Sequence, residues 1–201
     1  MRAVLASGNR GKLREYAELL APARLQLEPQ SAFGIESPPE TGTTFIDNAL
    51  LKARHAAAHS GLPALADDSG LEVDALGGAP GVHSARYASD TDEGAGDAAN
   101  IAKLLRALAA VPEGKRTARF RCAIALVRGA DDPAPRIAQG VWEGRILTAP
   151  RGDGGFGYDP VFLDVASGRS VAELMPAEKN ARSHRGQALR ALLAELAGSG
   201  A

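Results

Sequence analysis

Short apolar runs alternate along this chain with stretches that place apolar residues three or four positions apart, a pattern that predicts strands followed by helices. Residues 3–6 are apolar and predict a buried strand, which ends at the small and polar residues 7–11. The apolar positions that follow on one helical face are Leu13, Tyr16, Ala17 and Leu20. Pro22 is predicted to close this helix, so the first loop connects a strand to a helix.

A long alanine-rich helix is predicted over residues 45–59, after a second strand at residues 25–27. Thr44 and Asp47 lie three residues apart and form a capping pair at the start of the helix. Gly61 suits its end, because glycine readily adopts the left-handed conformation that terminates many helices.

Two adjacent acids interrupt the next apolar run. Residues 63–66 predict a strand that ends abruptly at Asp67 and Asp68, and residues 71–74 alternate like a further strand. Gly70 lies between the two strands and is typical of a turn. The acids are therefore predicted to lie at a strand end or in a turn.

The second half of the chain continues the mixture of strands and helices. A polar linker at residues 91–97 leads into a helix, residues 118–127 and 137–147 predict strands, and residues 151–160 form a glycine-rich loop. The two helices of this half carry their apolar faces at Ile101, Leu104, Leu105 and Leu108, and at Leu189, Leu192, Leu193 and Leu196. The pattern as a whole predicts the α/β fold class.

Composition narrows the possible functions. The chain has 201 residues and 45% hydrophobic content, which predicts one compact domain over residues 1–201. Its 23 Lys and Arg residues balance 24 Asp and Glu residues, so no basic field favours a nucleic-acid polymer or a membrane. Cys122, the single cysteine, forms no internal disulfide and fits a reducing compartment. We expect a cytoplasmic protein without a signal peptide or membrane span.

The first loop is a candidate anion site. In residues 7–12, a strand, a loop of small residues and a helix start occur together, which directs backbone N–H groups and the helix dipole toward a ligand. Lys12 adds a full positive charge. The alternative is an ordinary strand-to-helix turn, with Asn9 in a left-handed conformation and Lys12 in solvent.

The acidic pair is a candidate metal site. Two adjacent carboxylates repel each other unless a cation or hydrogen-bond donors compensate, and Mg²⁺ prefers carboxylate oxygens. Adjacent side chains on a strand point to opposite faces, so one of Asp67 and Asp68 would enter the site and the other would support it. The alternative is an aspartate-rich turn. Glu40 is a further candidate ligand on a loop, with simple solvent exposure as the alternative.

Two later segments could bind other parts of a ligand. Phe156 and Tyr158 lie in the glycine-rich loop and could stack on a base, although Tyr158 could equally anchor the loop to the core. Residues 178–180 and 183–186 concentrate cations before the last helix, where a bound phosphate or oxo group would be favourable. The alternative for the latter segments is a solvated basic turn.

Taken together, these motifs resemble the HAM1/RdgB family of inosine/xanthosine triphosphate pyrophosphatases, and the resemblance spans nearly the whole chain. The motifs that carry it are Ser7-Gly8-Asn9-Arg10-Gly11-Lys12, Glu40-Thr41-Gly42-Thr43-Thr44-Phe45, Ala66-Asp67-Asp68-Ser69-Gly70-Leu71, Gly77-Gly78-Ala79-Pro80-Gly81, Gly155-Phe156-Gly157-Tyr158-Asp159-Pro160, Glu178-Lys179-Asn180 and Ser183-His184-Arg185-Gly186.

The resemblance implies an elongated α/β fold in which helices flank a mixed sheet and two lobes surround a central substrate cleft. It also implies a homodimer, Mg²⁺ dependence, and hydrolysis of dITP, ITP or XTP to the nucleoside monophosphate and pyrophosphate. Asp68 would be the catalytic acid–base group near the metal, with Glu40 as a metal ligand. The residues that would hold the triphosphate are Ser7, Gly8, Asn9, Arg10, Gly11, Lys12 and Lys179. The residues that would contact the rest of the substrate are Ser69, Phe156, Gly157, Tyr158, Asp159, His184 and Arg185.

Two other functions remain open from the residues alone. A Maf-like pyrophosphatase for standard or modified pyrimidine triphosphates would share the phosphate site and the metal, but it would lack the base contacts from residues 183–185. A nucleotide-binding regulator without catalytic activity would use the same loops as a sensor. The sequence also leaves open which of Asp67 and Asp68 binds the metal.

Overall fold

The structure is a computed structural model that describes residues 2–20, 25–89 and 94–198. Its helices in those residues are α1 (Arg10–Leu20), α2 (Phe45–Ser60), α3 (Asp97–Ala107), α4 (Pro176–Arg182) and α5 (His184–Gly198). Its strands are β1 (Arg2–Leu5), β2 (Gln26–Pro29), β3 (Ala64–Val73), β4 (Thr117–Val127), β5 (Arg136–Ile146), β6 (Phe162–Asp164) and β7 (Arg169–Ser170).

These strands form a single mixed sheet in the order β2-β1-β3-β4-β5-β6-β7. Strand β1 pairs in parallel with both β2 and β3, whereas β6 pairs antiparallel with both β5 and β7. The parallel part requires helical crossovers, and α1 and α2 supply them along the chain. The prediction of an α/β fold with a mixed sheet and flanking helices is confirmed.

The chain divides into two compact units. Unit 1 consists of residues 1–68, 122–140 and 185–201, and unit 2 consists of residues 69–121 and 141–184. The proposal of a single domain over residues 1–201 remains a prediction.

Strand β1 and residues 122–127 of β4 are buried on both faces in unit 1. Cys122, Ile124 and Leu126 of β4 pack in one apolar cluster with α1 and α5, while the residues between them pack in another cluster with the alanines of α2. The alternation follows the two-residue period of a strand. A strand that is buried on both faces needs a nearly continuous apolar run, as residues 122–127 of β4 show.

The ends of α2 agree with the sequence prediction. Thr44 caps the helix by accepting a hydrogen bond from the Asp47 N–H at 3.1 Å, and its hydroxyl donates to the Asp47 carboxylate at 2.7 Å. Gly61 has a φ of 67° and donates to the carbonyl of Ala57. These local signals define the helix at both ends.

The acidic pair does not lie at a strand end or in a turn, and that prediction is wrong. Strand β3 continues from Ala64 to Val73, with Asp67 and Asp68 in its interior. The strand passes through the acids because cations from other elements neutralise both carboxylates, as described below. The pair therefore needs no turn exposed to water.

Several further predictions differ from the structure or lie outside it. Helix α4 and the short strands β6 and β7 were not predicted, because they are too short to show a clear period. The predicted helix stop at Pro22 and part of the linker at residues 91–97 fall outside the described residues. In the described part of the chain, no helix is both long enough and apolar enough to span a membrane.

Gly144 of β5 is a point of close approach in unit 2. A Cβ atom at this position would lie 2.5 Å from the carbonyl oxygen of Leu163 and would overlap the ring of Phe162. We expect Gly144→Ala to lower the free energy of unfolding by about 1 to 3 kcal/mol, measured by urea denaturation. Gly114→Ala is the control, since a Cβ there meets no atom within 4 Å; an equal loss in both variants would contradict the steric explanation.

Candidate active site

The first loop leads into a helix start, as predicted, but the amides of Asn9, Gly11 and Lys12 are already bonded. Asn9 Oδ1 accepts hydrogen bonds from the N–H groups of Gly11 at 2.8 Å and Lys12 at 3.1 Å. Ser7 Oγ accepts one from the N–H of Asn9 at 3.2 Å. Asn9 is therefore the cap of α1 and is not left-handed, since the described non-glycine residues all have negative φ. The anion site at this loop remains a prediction, and these three amides already have partners within the chain.

Lys12 does not point into solvent. Its Nζ lies 2.8 Å from Asp67 Oδ2, and both side chains are buried or nearly so. Arg185 Nε lies 3.4 Å from the same oxygen, and the Arg185 guanidinium also pairs with Glu15. With only 2% of Arg185 exposed, unit 1 contains a buried network of two cations and two carboxylates.

The network keeps Asp67 ionised. Burial by itself raises the pKa of this carboxyl, but the Lys12, Arg185 and Lys52 cations outweigh burial and hold the pKa below its usual value. A lowered pKa favours the charged form, which suits a counter-ion. The supporting role of Asp67 within the acidic pair remains a prediction, and this environment is consistent with it.

Asp68 points to different partners, as expected for the next residue on a strand. Lys52 Nζ donates to its Oδ1 at 2.8 Å, and Asn48 Nδ2 donates to its Oδ2 at 3.2 Å. The same Lys52 Nζ donates to Glu40 Oε1 at 2.7 Å. The carboxylates of Asp68 and Glu40 thus converge on one ammonium group.

The surroundings make Asp68 the better proton acceptor of the two aspartates. Burial raises its pKa, Lys52 opposes this rise, and the negative charge of Glu40 adds to it, so that the pKa lies above its usual value. Such an elevated pKa is typical of a carboxylate that accepts a proton in catalysis.

The residues that meet at Lys52 fit a magnesium ion. In residues 2–20, 25–89 and 94–198, no group of three or more His, Cys, Asp and Glu side chains could hold a metal. Mg²⁺, however, commonly uses only one or two carboxylates and completes its octahedron with water and substrate phosphates. Glu40 and Asp68 could form such a pair, since both bind one cationic group.

The sequence analysis missed three residues that bond to the acidic pair or to its partners. Asn48 and Lys52 lie one turn apart on the buried face of α2, next to Ala49 and Ala53. Glu15 is a buried acid on α1. Polar residues on an otherwise apolar helical stripe were the available signal, because a buried charge needs a partner.

The glycine-rich loop in unit 2 is organised around Asp159. Its Oδ2 accepts hydrogen bonds from Lys179 Nζ at 2.6 Å and from the Phe156 N–H at 2.9 Å. Lys179 Nζ also lies over the Phe156 ring, 4.6 Å from its centroid. A Cβ at Gly155 would overlap the Asp159 carboxylate, so this position requires glycine. The charge of Lys179 is therefore paired inside the loop.

The two aromatic residues of the loop differ in exposure. Tyr158 is buried in the apolar cluster of unit 2, its hydroxyl donates to the Ser84 carbonyl at 2.8 Å, and burial raises its pKa. The alternative that Tyr158 anchors the loop is thus favoured over stacking on a base. Phe156 is only partly buried, and the N–H of Gly157 donates to Asp97 at 2.6 Å. Phe156 remains the candidate for stacking.

The remaining predicted residues are Ser69 and His184. Ser69 is partly buried on β3. His184 begins α5 and is almost fully buried, with its ring stacked on Phe120 at a centroid distance of 4.9 Å. Both lie in unit 2, whereas Glu40, Asp68 and Arg185 lie in unit 1.

The sheet topology and the paired carboxylates and cations define an α/β protein with a candidate site for a divalent metal and a phosphate chain. The sequence profile of the Ham1 family matches residues 3–195, and the chain belongs to this family. It is similar to the dITP/XTP pyrophosphatase of Thioalkalivibrio sulfidiphilus (strain HL-EbGR7), with 58% identity over 199 residues that cover 98% of this chain and 100% of the relative.

Another relative and two solved structures also match nearly the whole chain. The dITP/XTP pyrophosphatase of Methylococcus capsulatus (strain ATCC 33009 / NCIMB 11132 / Bath) is 58% identical over 96% of this chain and 94% of its own length. The structure of a HAM1 protein from Coxiella burnetii superimposes with a TM-score of 0.89 at 52% identity, covering 98% of this chain and 99% of that one. The Staphylococcus aureus Ham1 protein gives a TM-score of 0.83 at 36% identity, with 99% and 100% coverage.

Proposed function

We propose that this protein hydrolyses dITP, ITP and XTP to the nucleoside monophosphate and pyrophosphate, and so removes deaminated purines from the nucleotide pool. The observation that carries the proposal is the buried Asp68, whose pKa is raised and whose carboxylate meets that of Glu40 at the Lys52 ammonium. Relatives that match nearly the whole chain bear the name dITP/XTP pyrophosphatase, which supports dITP and XTP as substrates.

Asp68 orients a water molecule and removes its proton as the water attacks the α-phosphorus, and pyrophosphate leaves. Glu40 and Asp68 would hold Mg²⁺, which supplies charge neutralisation to the phosphates when it is bound. Chemistry of this kind depends mainly on positioning and electrostatics. Lys52 contacts both carboxylates and would stabilise them in their charged forms.

The triphosphate binds to Lys12, Lys179 and the first loop. The loop residues in this role are Ser7, Gly8, Asn9, Arg10 and Gly11. Both lysines are paired with carboxylates in the structure, Lys12 with Asp67 and Lys179 with Asp159. Phosphate oxygens would replace or share these contacts, and the buried carboxylates would hold the lysine side chains in position before the substrate arrives.

Recognition of the base rests on Phe156 for stacking and on donors from His184 and Arg185 for the 6-oxo group. A donor that faces the 6-amino group of adenine stays unpaired, and such mismatches give large selectivity. Arg185 is bonded to Asp67 through Nε and to Glu15 through Nη1, so a base contact would use another N–H of the guanidinium or exchange one of these bonds. Gly157, Tyr158 and Asp159 hold the loop in place around Phe156, and Ser69 touches the substrate from β3.

A substrate panel tests the proposal. Initial rates of pyrophosphate release are measured with Mg²⁺ for dITP, ITP, XTP, dATP, ATP and the pyrimidine triphosphates. We expect kcat/KM for dITP, ITP and XTP to exceed that for dATP by about a hundredfold or more. Addition of EDTA should abolish turnover, and Mg²⁺ in excess should restore it.

The panel also separates the alternatives. Equal hydrolysis of ATP and ITP would contradict the proposed selectivity for a 6-oxo group over the 6-amino group of adenine. A preference for pyrimidine triphosphates would support a Maf-like activity, and tight ITP binding without turnover in Mg²⁺ would support a sensor.

A homodimer and a cytoplasmic location complete the proposal. The resemblance to the family implies the homodimer, and the buried free thiol of Cys122 fits a reducing compartment such as the cytoplasm. Analytical ultracentrifugation tests the assembly, since a dimer has twice the chain mass of 20.8 kDa. A sedimentation mass equal to one chain would contradict it.

A further inference from the structure

Asn48 is a fully buried polar side chain that bonds to two different parts of unit 1. It lies on α2 with 0% of its surface exposed. Its Oδ1 accepts a hydrogen bond from the Gly42 N–H at 2.8 Å, and its Nδ2 donates to Asp68 Oδ2 at 3.2 Å. Asn48 thus connects the segment that carries Glu40 to the carboxylate of Asp68.

The orientation of the Asn48 amide follows from its partners. A backbone N–H can only donate, so the amide oxygen must face Gly42 and the amide NH₂ group must face Asp68. Lys52, one turn further along α2, donates to the other oxygen of Asp68 and to Glu40. Both oxygens of the Asp68 carboxylate are therefore held from one helical face.

The segment of residues 40–42, which carries Glu40, approaches α2 closely at Gly42. A Cβ atom there would lie 2.6 Å from Asp47 Cβ and 2.7 Å from Asn48 Oδ1. Glycine therefore permits the hydrogen bond to Asn48, which holds the segment two residues after Glu40 against the helix. The position of Glu40 relative to Asp68 depends on this contact.

A second buried asparagine shows what a purely structural role looks like. Asn100 of α3 accepts from the Ala88 N–H at 2.8 Å and donates to the Ala85 carbonyl at 3.2 Å, so both of these bonds go to backbone. The Asn48 amide NH₂ group instead donates to a side-chain carboxylate, that of Asp68, whose pKa is raised.

We infer that Asn48 is a positioning residue of the proposed reaction, which orients the Asp68 carboxylate and sets its separation from Glu40 without touching the nucleotide. The kinetic part of this inference rests on the proposed function, and the ion-binding part does not. Residues that orient metal-binding side chains in this way typically change metal affinity or activity when they are replaced.

The kinetic test uses Asn48→Asp and Asn48→Ala. The aspartate variant keeps an acceptor for Gly42 but places an oxygen where Asp68 needs a donor, and the alanine variant removes both bonds. We expect kcat for dITP to fall by about tenfold or more in each variant, because a misplaced reacting group is costly. We expect KM to change by less than about threefold, because Asn48 does not contact the substrate.

Asn100→Asp and Asn100→Ala are matched controls at the other buried asparagine. They should lower the thermal unfolding temperature as the Asn48 variants do, yet leave kcat within about twofold of the unmodified protein. Equal losses of kcat in the two pairs, an effect on KM alone, or an unchanged kcat in both Asn48 variants would overturn the inference.

Binding of Mn²⁺ provides a readout that needs no turnover. Free Mn²⁺ is measured by electron paramagnetic resonance in titrations of the unmodified protein, Asn48→Ala and Asn100→Ala without nucleotide. We expect affinity to fall by about tenfold in Asn48→Ala and to stay unchanged in Asn100→Ala. Equal affinity in the unmodified protein and Asn48→Ala, or no binding by either, overturns the inference, whereas absent dITP turnover in the unmodified protein overturns the proposed function alone.

Discussion

Asp68→Asn is expected to lower kcat for dITP hydrolysis by about a thousandfold, because an amide accepts no proton from the attacking water. The substitution preserves the size of the side chain. Lys52 keeps Glu40 as a partner, so its charge stays compensated. Burial also raises the pKa of Asp68, which means that the fold itself does not favour the charge at this position. We therefore expect the loss of activity to occur in a protein that unfolds near the normal temperature.

Steady-state kinetics and thermal unfolding measured on the same preparations check this prediction. Asp47→Asn is the control. Asp47 is an exposed acid on α2, the helix that also carries Lys52, and its carboxylate bonds to the cap residue Thr44. Its kcat should stay within about twofold of the unmodified protein. Near-normal turnover by Asp68→Asn in Mg²⁺ would show that another group activates the water.

Arg185→Met is expected to lower the free energy of unfolding by about 3 to 5 kcal/mol, because it removes the partner of buried carboxylates. The guanidinium pairs with Glu15 and lies 3.4 Å from Asp67, and only 2% of Arg185 is exposed. Methionine retains much of the volume, so the loss reflects the uncompensated charges and not a cavity. A change of this size is a large fraction of the stability of a typical domain.

Urea denaturation of the unmodified protein and of Arg185→Met measures the difference in the free energy of unfolding. The matched control is Arg136→Met, because Arg136 pairs with Glu195 in unit 1 while both side chains stay partly exposed. Exposed pairs contribute little, so we expect a change below about 1 kcal/mol. Similar values for the two arginine variants would show that the buried network contributes no more than a surface pair.

The charges of the candidate site are already compensated before any substrate binds. Lys12 pairs with Asp67, and Lys179 with Asp159. Under the proposed function, each pair would let a protein with a formal net charge of −1 present a local cation to a polyanion.

Local sequence patterns determined the elements that depend on neighbours in the chain. The start of α2 at Thr44 and its end at Gly61 follow from capping chemistry within a few residues. The apolar run of β4 predicted a strand buried on both faces, and the α/β class followed from the alternation of such segments. These features need no knowledge of distant residues.

The tertiary structure alone decided where charges are paired. Asp67 and Asp68 look like a turn in the sequence, but Lys12, Lys52 and Arg185 reach them from elements distant in the chain, so β3 continues through both acids. The partners of a buried charge are chosen by packing, and the sequence carries only the weak signal of a polar residue on an apolar face. Asn48 belongs to the same class, since its importance lies in two bonds that no local pattern predicts.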